Sequence, residues 1–304
     1  MNFNLITVLG PTATGKTKLA VQLAEYFNGE IISADSRQVY HRMNIGTGKD
    51  LSEYIFKGKQ IHYHLIDVID PTEEFNLYKF QQLFYKAFEE ISEKKKIPFL
   101  VGGTGMYLGS ILQDYSLNKA DFEKTQQEYF SFSDEELRVI LKKLNPVLHN
   151  TTDLNIRERI LKAIAVSKAQ MDNRADLSEV KTVNIKSLNI GVKLPREEIK
   201  KRITSRLKRR LDEEGMIDEV QSLLDSGVSY DKMIFFGLEY KFIAQYLSGE
   251  LNKNDMFQKL NSAIHSFAKR QMTWFRKMER EGVMINWIEG PDFNKAKELI
   301  ENNL

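Results

Sequence analysis

At 304 residues, with 42% hydrophobic and 11% aromatic side chains, the chain is long enough to bury a full core and is expected to hold one large domain plus an insertion or a small second domain. The absence of cysteine excludes disulfides, thiolate chemistry and a Cys-ligated metal. A net charge of +2, from 44 basic and 42 acidic side chains, does not mark the chain as a whole for a polyanion, and no apolar run approaches the ~18 residues of a membrane span.

The N-terminus leads into the apolar run Leu5, Ile6, Val8, Leu9 without a signal-peptide pattern, so a cytoplasmic protein with no membrane partner is expected. Directly behind that run stands Gly10-Pro11-Thr12-Ala13-Thr14-Gly15-Lys16-Thr17. Glycines at this spacing let successive backbone N–H groups turn inward around phosphate. Lys16 reaches the outer phosphates, and the Thr17 hydroxyl is placed to hold a phosphate-bound Mg²⁺. Leu19, Ala20, Leu23, Ala24 and Phe27 then repeat at helical spacing, giving the strand–loop–helix setting that such a cradle requires.

Glu30 to Ser33 reads as a short buried strand that delivers Ala34-Asp35-Ser36-Arg37-Gln38 at its C-terminal end, the edge where open α/β sheets hold ligands. His62 to Ile66 reads as another strand. Leu77 to Lys94 reads as an amphipathic helix, and Pro98 to Val101 as a further strand that turns through Gly102-Gly103-Thr104-Gly105 into a helix. Repeated strand-then-helix units predict a P-loop-type parallel sheet with helices on both faces. From Ser116 to Leu188 polar helices (Asp134 to Lys143, Leu154 to Ala169) replace strands, so residues 116–188 are expected to form a helical insertion between core segments 1–115 and 189–304. A strand from Leu188 to Leu194 returns the chain to the sheet, Pro195 starts a helix, and the remainder reads as mainly helical.

Asp35, a carboxylate at the end of a buried strand one unit after the cradle, is the candidate proton acceptor or contact to the second substrate, the alternative being a helix N-cap or an outer Mg²⁺ contact. Thr104 is placed either to touch a reacting group or simply to cap its helix. His62 and His64 share a strand face, but without a third ligand at useful spacing they read as packing or hydrogen-bonding residues. Seven basic residues and no acid lie between Lys200 and Arg210. A second basic segment, Lys269 to Lys277, mixes cations with Trp274 and Phe275: Lys269, Thr273, Arg276 and Arg280 share one helix face, and Phe267, Ala268, Phe275 and Met278 an apolar one. The basic faces suit RNA phosphates. No apolar strand ends in an extra Asp with a water-positioning neighbour, so the loop is expected to grip a donor for group transfer rather than to drive movement.

With these blocks in place, the chain closely resembles the tRNA dimethylallyltransferase family over nearly its whole length. The resemblance rests on the Gly10–Thr17 loop and on Ile32 to Tyr40 followed by Met43-Asn-Ile-Gly46-Thr47. It continues through Tyr63-His64-Leu-Ile-Asp67 with Asp70-Pro71, Val101 to Tyr107, and Ala268-Lys269-Arg270-Gln271-Met-Thr-Trp274. It implies transfer of a dimethylallyl group from dimethylallyl pyrophosphate to the exocyclic amine of an adenine beside a tRNA anticodon. Gly10 to Thr17 with Mg²⁺ would hold the pyrophosphate, Asp35 would deprotonate the amine, and Thr104 would stabilise the transition state. The anticodon stem-loop would be held by Asp35, Ser36, Arg37, Gln38, Arg157, Arg159, Lys162, Lys269 and Arg270. A monomer is expected.

The chain also departs from the family pattern. Gly237-Leu238-Glu239-Tyr240 stands where Gly-Tyr-Arg-Gln is usual, so a carboxylate replaces a cation near the transferring group. In the insertion the usual pattern survives loosely as Asp153, Arg157, Arg159 and Lys162-Ala-Ile-Ala165, Tyr63 replaces a histidine, and His265 stands where Arg is common. The rival readings are a P-loop nucleotide or metabolite kinase, a tRNA-binding paralogue with weakened catalysis, and prenylation of free adenine nucleotides.

Overall fold

The computed structural model describes residues 2–115, 120–146, 154, 156–172 and 183–303. In chain order, β1 (Leu5–Leu9), α1 (Lys16–Tyr26) and β2 (Gly29–Ala34) precede a small hairpin of β3 (Ile55–Phe56) and β4 (Lys59–Gln60). β5 (Tyr63–His64), α2 (Leu77–Glu93), β6 (Ile97–Gly102) and α3 (Gly105–Leu112) follow. Then come α4 (Phe122–Glu128), α5 (Asp134–Leu144) and α6 (Arg157–Asp172). β7 (Ser187–Lys193) leads to α7 (Arg196–Asp212), α8 (Met216–Asp225), α9 (Tyr230–Phe236), α10 (Leu238–Leu247), α11 (Lys253–Arg280), β8 (Asn286–Glu289) and α12 (Phe293–Glu301).

Six strands form one sheet in the order β5-β2-β6-β1-β7-β8, every neighbouring pair parallel. β1 is central, and all five of its residues are buried, as a strand covered on both faces requires. Its side chains alternate: Ile6 and Val8 join the cluster built with Leu19, Ala20 and Leu23 of α1, while Leu5 and Leu9 are fully buried on the opposite face. Each such side chain contributes roughly 1.5–3 kcal/mol on burial. Helices α7 to α11 build a second core, in which Ile203, Leu207, Tyr240, Leu260 and Ile264 meet.

The chain divides into a core unit, residues 1–114 and 184–304, and a helical unit, Tyr115–Val183. Leu137, Leu141, Ile160 and Ile164 form the helical unit's own core, and Ser133 and Glu136 close a reciprocal capping box at the start of α5. Residues 184–188, expected in the insertion, belong to the core unit instead. The Lys186 carbonyl accepts from the Asn4 and Leu5 amides at 2.9 and 3.2 Å, so the sheet register begins before the apolar run does. Asp153 of the expected insertion pattern lies outside the described residues.

Besides the β3–β4 hairpin, which the sequence reading does not contain, two strands of the main sheet differ from it. β5 is only Tyr63–His64, because Leu65 and Asp67 take left-handed backbone angles (φ 62° and 53°) that end the pairing. β8 was not expected: Asn286-Trp-Ile-Glu289 has a weak apolar signal, and its parallel pairing with β7 makes it a strand. Among the described residues no helix is long and apolar enough to cross a membrane.

Candidate active site

The loop Gly10–Thr17 joins β1 to α1 at the C-terminal edge of the sheet. Gly15 caps α1 with a left-handed φ of 84°, which frees the first helical amides to point outward. A Cβ on Gly10 would sit 2.5 Å from the Val192 carbonyl oxygen, so only glycine lets the loop lie this close to β7. The buried Thr14 hydroxyl donates to the Pro11 carbonyl at 2.9 Å, and Lys16 Nζ reaches the same oxygen at 3.4 Å.

A cleft of about 250 Å³ opens in front of the loop. Thr12, Lys16 and Thr17 line it from the cradle, Asp35, Arg37 and Gln38 from the turn after β2, and Arg202, Arg206, Arg209 and Arg210 from α7. Glu239 and Phe267 complete the side formed by α10 and α11. Arg206 Nη2 donates to Thr12 Oγ1 at 2.6 Å. Burial lowers the Lys16 ammonium to about 8, with Asp35 opposing and Arg206 adding to the shift. Burial, then the charge of Arg210, lowers Arg206 to about 10. Arg210 is itself buried; its Nε makes no hydrogen bond and lies 3.8 Å from the Glu214 carboxylate. Cations desolvated together in one cleft are suited to an anionic ligand.

No helix follows Asp35 for it to cap: one carboxylate oxygen accepts the Arg37 amide at 2.9 Å within a turn, while the side chain lines the cleft. Thr104 precedes α3 but its side chain makes no helix-cap bond; its hydroxyl accepts the Ser36 amide at 3.1 Å. It therefore ties the second glycine turn to the Asp35 segment and stands beside the residues that line the cleft rather than among them. Gln38 is spent on structure, accepting from Ser33 Oγ at 3.1 Å and donating to the Gly48 carbonyl at 3.2 Å. Arg37 Nη1 is ion-paired to Glu239 Oε2 at 2.5 Å.

The other expected RNA contacts separate. In the helical unit, Arg157 binds the Phe132, Tyr129 and Phe130 carbonyls and Asp134, so its terminal nitrogens hold that unit together. Lys162 pairs with Glu158 at 2.8 Å, and Arg159 is exposed. Lys269 and Arg270 are exposed on α11. Phe267, expected on the apolar face, instead lines the cleft with the Arg37 and Arg270 guanidinium groups 5.9 and 6.0 Å from its ring centre.

Sequence reasoning missed three features. The α7 arginines were assigned to RNA, yet four of them face the cradle, because Ile203, Leu207 and Leu211 turn the opposite side of α7 into the core. Gln271 was seen only as part of a motif; its Oε1 accepts the Thr12 amide and its Nε2 donates to the Gly103 carbonyl, both at 2.9 Å. The missing third ligand beside His62 and His64 exists: Glu30 comes within 4.8 Å of both ring donors. Its carboxylate, however, accepts from Lys96 at 2.7 Å and His64 at 2.9 Å, and these bonds hold it down to about 2 although its burial acts to raise it.

Oxygen donors also line the cleft: the Thr17 hydroxyl and the carboxylates of Asp50 and Glu53. This hard donor set fits Mg²⁺.

Comparison with known proteins agrees with this geometry. The sequence model of the IPP transferase family matches residues 38–278. The chain is 50% identical over 306 residues to tRNA dimethylallyltransferase 1 of Geotalea uraniireducens (strain Rf4), covering 100% of this chain and 99% of that one. Among solved structures it is similar to the full-length tRNA isopentenylpyrophosphate transferase of Bacillus halodurans, with 32% identity, a TM-score of 0.68, and coverage of 99% and 94% of the two chains. It shares its fold, with a TM-score of 0.75 at 23% identity over 98% of this chain and 77% of the other, with a eukaryotic dimethylallyltransferase.

Proposed function

The chain belongs to the IPP transferase family, the tRNA dimethylallyltransferases, and from that premise we propose that the cleft before Gly10–Thr17 is where a dimethylallyl group passes from dimethylallyl pyrophosphate to tRNA. The acceptor is the exocyclic amine of an adenine next to the anticodon. The observation that carries this reading is the facing of Lys16 and Arg206 by Asp35 across one small cleft: cations for a departing pyrophosphate, and a carboxylate for the proton that the acceptor releases.

The amine nitrogen forms a bond to the first carbon of the allyl group as that carbon's bond to the bridging oxygen breaks, and the electron pair leaves with pyrophosphate. The loop amides, Lys16 and Arg206 stabilise the charge that develops there. Thr17, with Asp50 and Glu53, would hold Mg²⁺, which supplies further neutralisation of the diphosphate. The Asp35 oxygen left over from the Arg37 turn takes the amine proton. The Thr104 hydroxyl, oriented by the Ser36 amide, keeps its own proton to donate toward the leaving oxygen. An adenine stacked in an anticodon loop must be extruded, at a cost of a few kcal/mol that contacts to the RNA backbone offset. The exposed cations Lys269 and Arg270 are the core unit's candidates for those contacts. The enzyme is proposed to work as a cytoplasmic monomer.

Incubation with Mg²⁺, dimethylallyl pyrophosphate and unmodified tRNA, followed by mass analysis of the digested nucleosides, tests the assignment, with AMP as a second acceptor. Isopentenyladenosine in tRNA is expected. Its absence from wild-type reactions, at the level of an Asp35→Asn control, would exclude the reaction.

A further inference from the structure

Four carboxylates line this cleft beside Lys16, Arg206 and Arg210, and Glu239, only 4% exposed, is the one of them that is buried. It is also delivered there by unusual backbone. Gly237 adopts φ 69°, ψ −169°, a region open essentially to glycine alone, and Leu238 follows with a left-handed φ of 41°. Strain of this kind persists where the surrounding structure holds one side chain to one position.

That side chain's partner is Arg37. Glu239 Oε2 meets Arg37 Nη1 at 2.5 Å, the two side chains being 5% and 16% exposed. The Phe267 ring lies under the guanidinium, and the Arg37 amide is the one that anchors Asp35. Burial acts to lower the Arg37 guanidinium, and the Glu239 and Asp35 carboxylates outweigh it, so its charge is fixed. Arg37 is thus pinned beside the proton acceptor, with its charge answered from within the protein. On the donor side Lys16 and Arg206 feel the carboxylates of Asp35, Glu53 and Asp50 but, among the described residues, neither forms an ion pair as close as that of Arg37 and Glu239.

We propose that Glu239 is a positioning residue with two effects of opposite sign: it fixes Arg37 to receive the acceptor nucleotide next to Asp35, and it cancels the Arg37 charge that would otherwise tighten the enzyme's hold on the diphosphate. The pair therefore separates an acceptor half of the cleft from a donor half, and it keeps product pyrophosphate from being held too firmly. This rests on the prenyl-transfer reading for the acceptor effect only; the charge effect is independent of turnover.

The test measures two quantities on the full chain: calorimetric affinity for inorganic pyrophosphate with Mg²⁺, and the KM for tRNA in the transfer assay. Glu239→Gln, which leaves Arg37 uncompensated, is expected to bind pyrophosphate about 5–10-fold more tightly while its KM for tRNA rises about tenfold. Arg37→Met reverses the first effect, binding pyrophosphate several-fold more weakly because Glu239 is then unanswered. The double variant Arg37→Met/Glu239→Gln returns pyrophosphate affinity to within about twofold of wild type but keeps the raised KM for tRNA. Glu239→Asp keeps both quantities within about threefold of wild type. Pyrophosphate binding that does not tighten in Glu239→Gln, or that weakens alike in all three substitutions that break the pair, would overturn the inference. Should Glu239→Gln fold poorly, the weakening expected of Arg37→Met and its recovery in the double variant decide the same point. A pyrophosphate series in the expected order from a protein that modifies no tRNA would instead overturn the function and leave the charge pairing in place.

Discussion

Gln271 and Thr12 lie 259 residues apart in the chain, yet the Gln271 side chain accepts the Thr12 amide at 2.9 Å. The same side chain donates to Gly103, where a Cβ would approach Nε2 to 2.3 Å. One buried amide therefore clamps both glycine-bearing turns of the cleft to α11.

Replacing Gln271 with Ala leaves a loop amide and a carbonyl without partners, at roughly 1–3 kcal/mol each. The expected result is a fall in thermal midpoint together with a loss of pyrophosphate affinity of about tenfold or more. Differential scanning calorimetry and titration calorimetry on the same protein read the two effects. A variant with normal pyrophosphate binding would show that the clamp does not shape the cradle.

The Lys16 ammonium, lowered by burial from 10.5 to about 8, sets a pH window. Its folded value lies below its unfolded one, so at neutral pH its buried charge costs stability, and that cost disappears as pH rises from about 8 toward 10.5. Pyrophosphate restores the charge, so binding near pH 8.5 is expected to take up protons and to weaken as pH rises further. Titration in two buffers of different ionisation enthalpy measures the uptake, and Lys16→Met corrects for protons on the ligand. Equal uptake by both proteins would remove Lys16 from the donor site.

Asp35→Asn keeps an oxygen for the Arg37 amide and loses the base. Transfer should fall by about 10²–10⁴, while pyrophosphate affinity stays within about threefold of wild type. Single-turnover rates beside equilibrium titration separate the two. Loss of both would mean that Asp35 serves the fold of the turn more than the chemistry.

Glu219 gathers the loop that faces the cradle. Its carboxylate accepts the Asn44, Ile45 and Gly46 amides at 2.7–3.0 Å and the Tyr240 hydroxyl at 2.8 Å. Glu219→Ala strands these donors and is expected to cost about 2–4 kcal/mol. Denaturant titration checks the cost, and limited proteolysis should gain a cut within residues 43–49. An unchanged midpoint would assign the loop's order to its other contacts.

Much of this was legible beforehand for identifiable reasons. The Gly10–Thr17 loop, the α2 stripe of Phe80, Phe84, Phe88 and Ile91, and the buried strands β1 and β6 are local patterns, and burial follows them closely. The short edge strands were legible only in part: β5 reads too long from sequence and β8 not at all, because they carry only two and four residues and a neighbouring strand defines each. Arg157 and Gln38 looked like RNA contacts because a cation or an amide in a matched block carries no mark of its partner. In the folded chain their polar atoms are occupied by nearby carbonyls and side chains.

The Gly10–Thr17 loop between β1 and α1, the carboxylate at the end of β2 and the parallel α/β plan are written in the sequence, because each depends on spacing within a few residues. Which cations reach the loop follows from tertiary contacts alone. Arg206 reaches Thr12 and Arg37 is taken by Glu239, and both outcomes depend on contacts across about 200 residues of chain. Charge balance in a desolvated cleft is a sum over side chains brought together by folding, and no local pattern contains that sum.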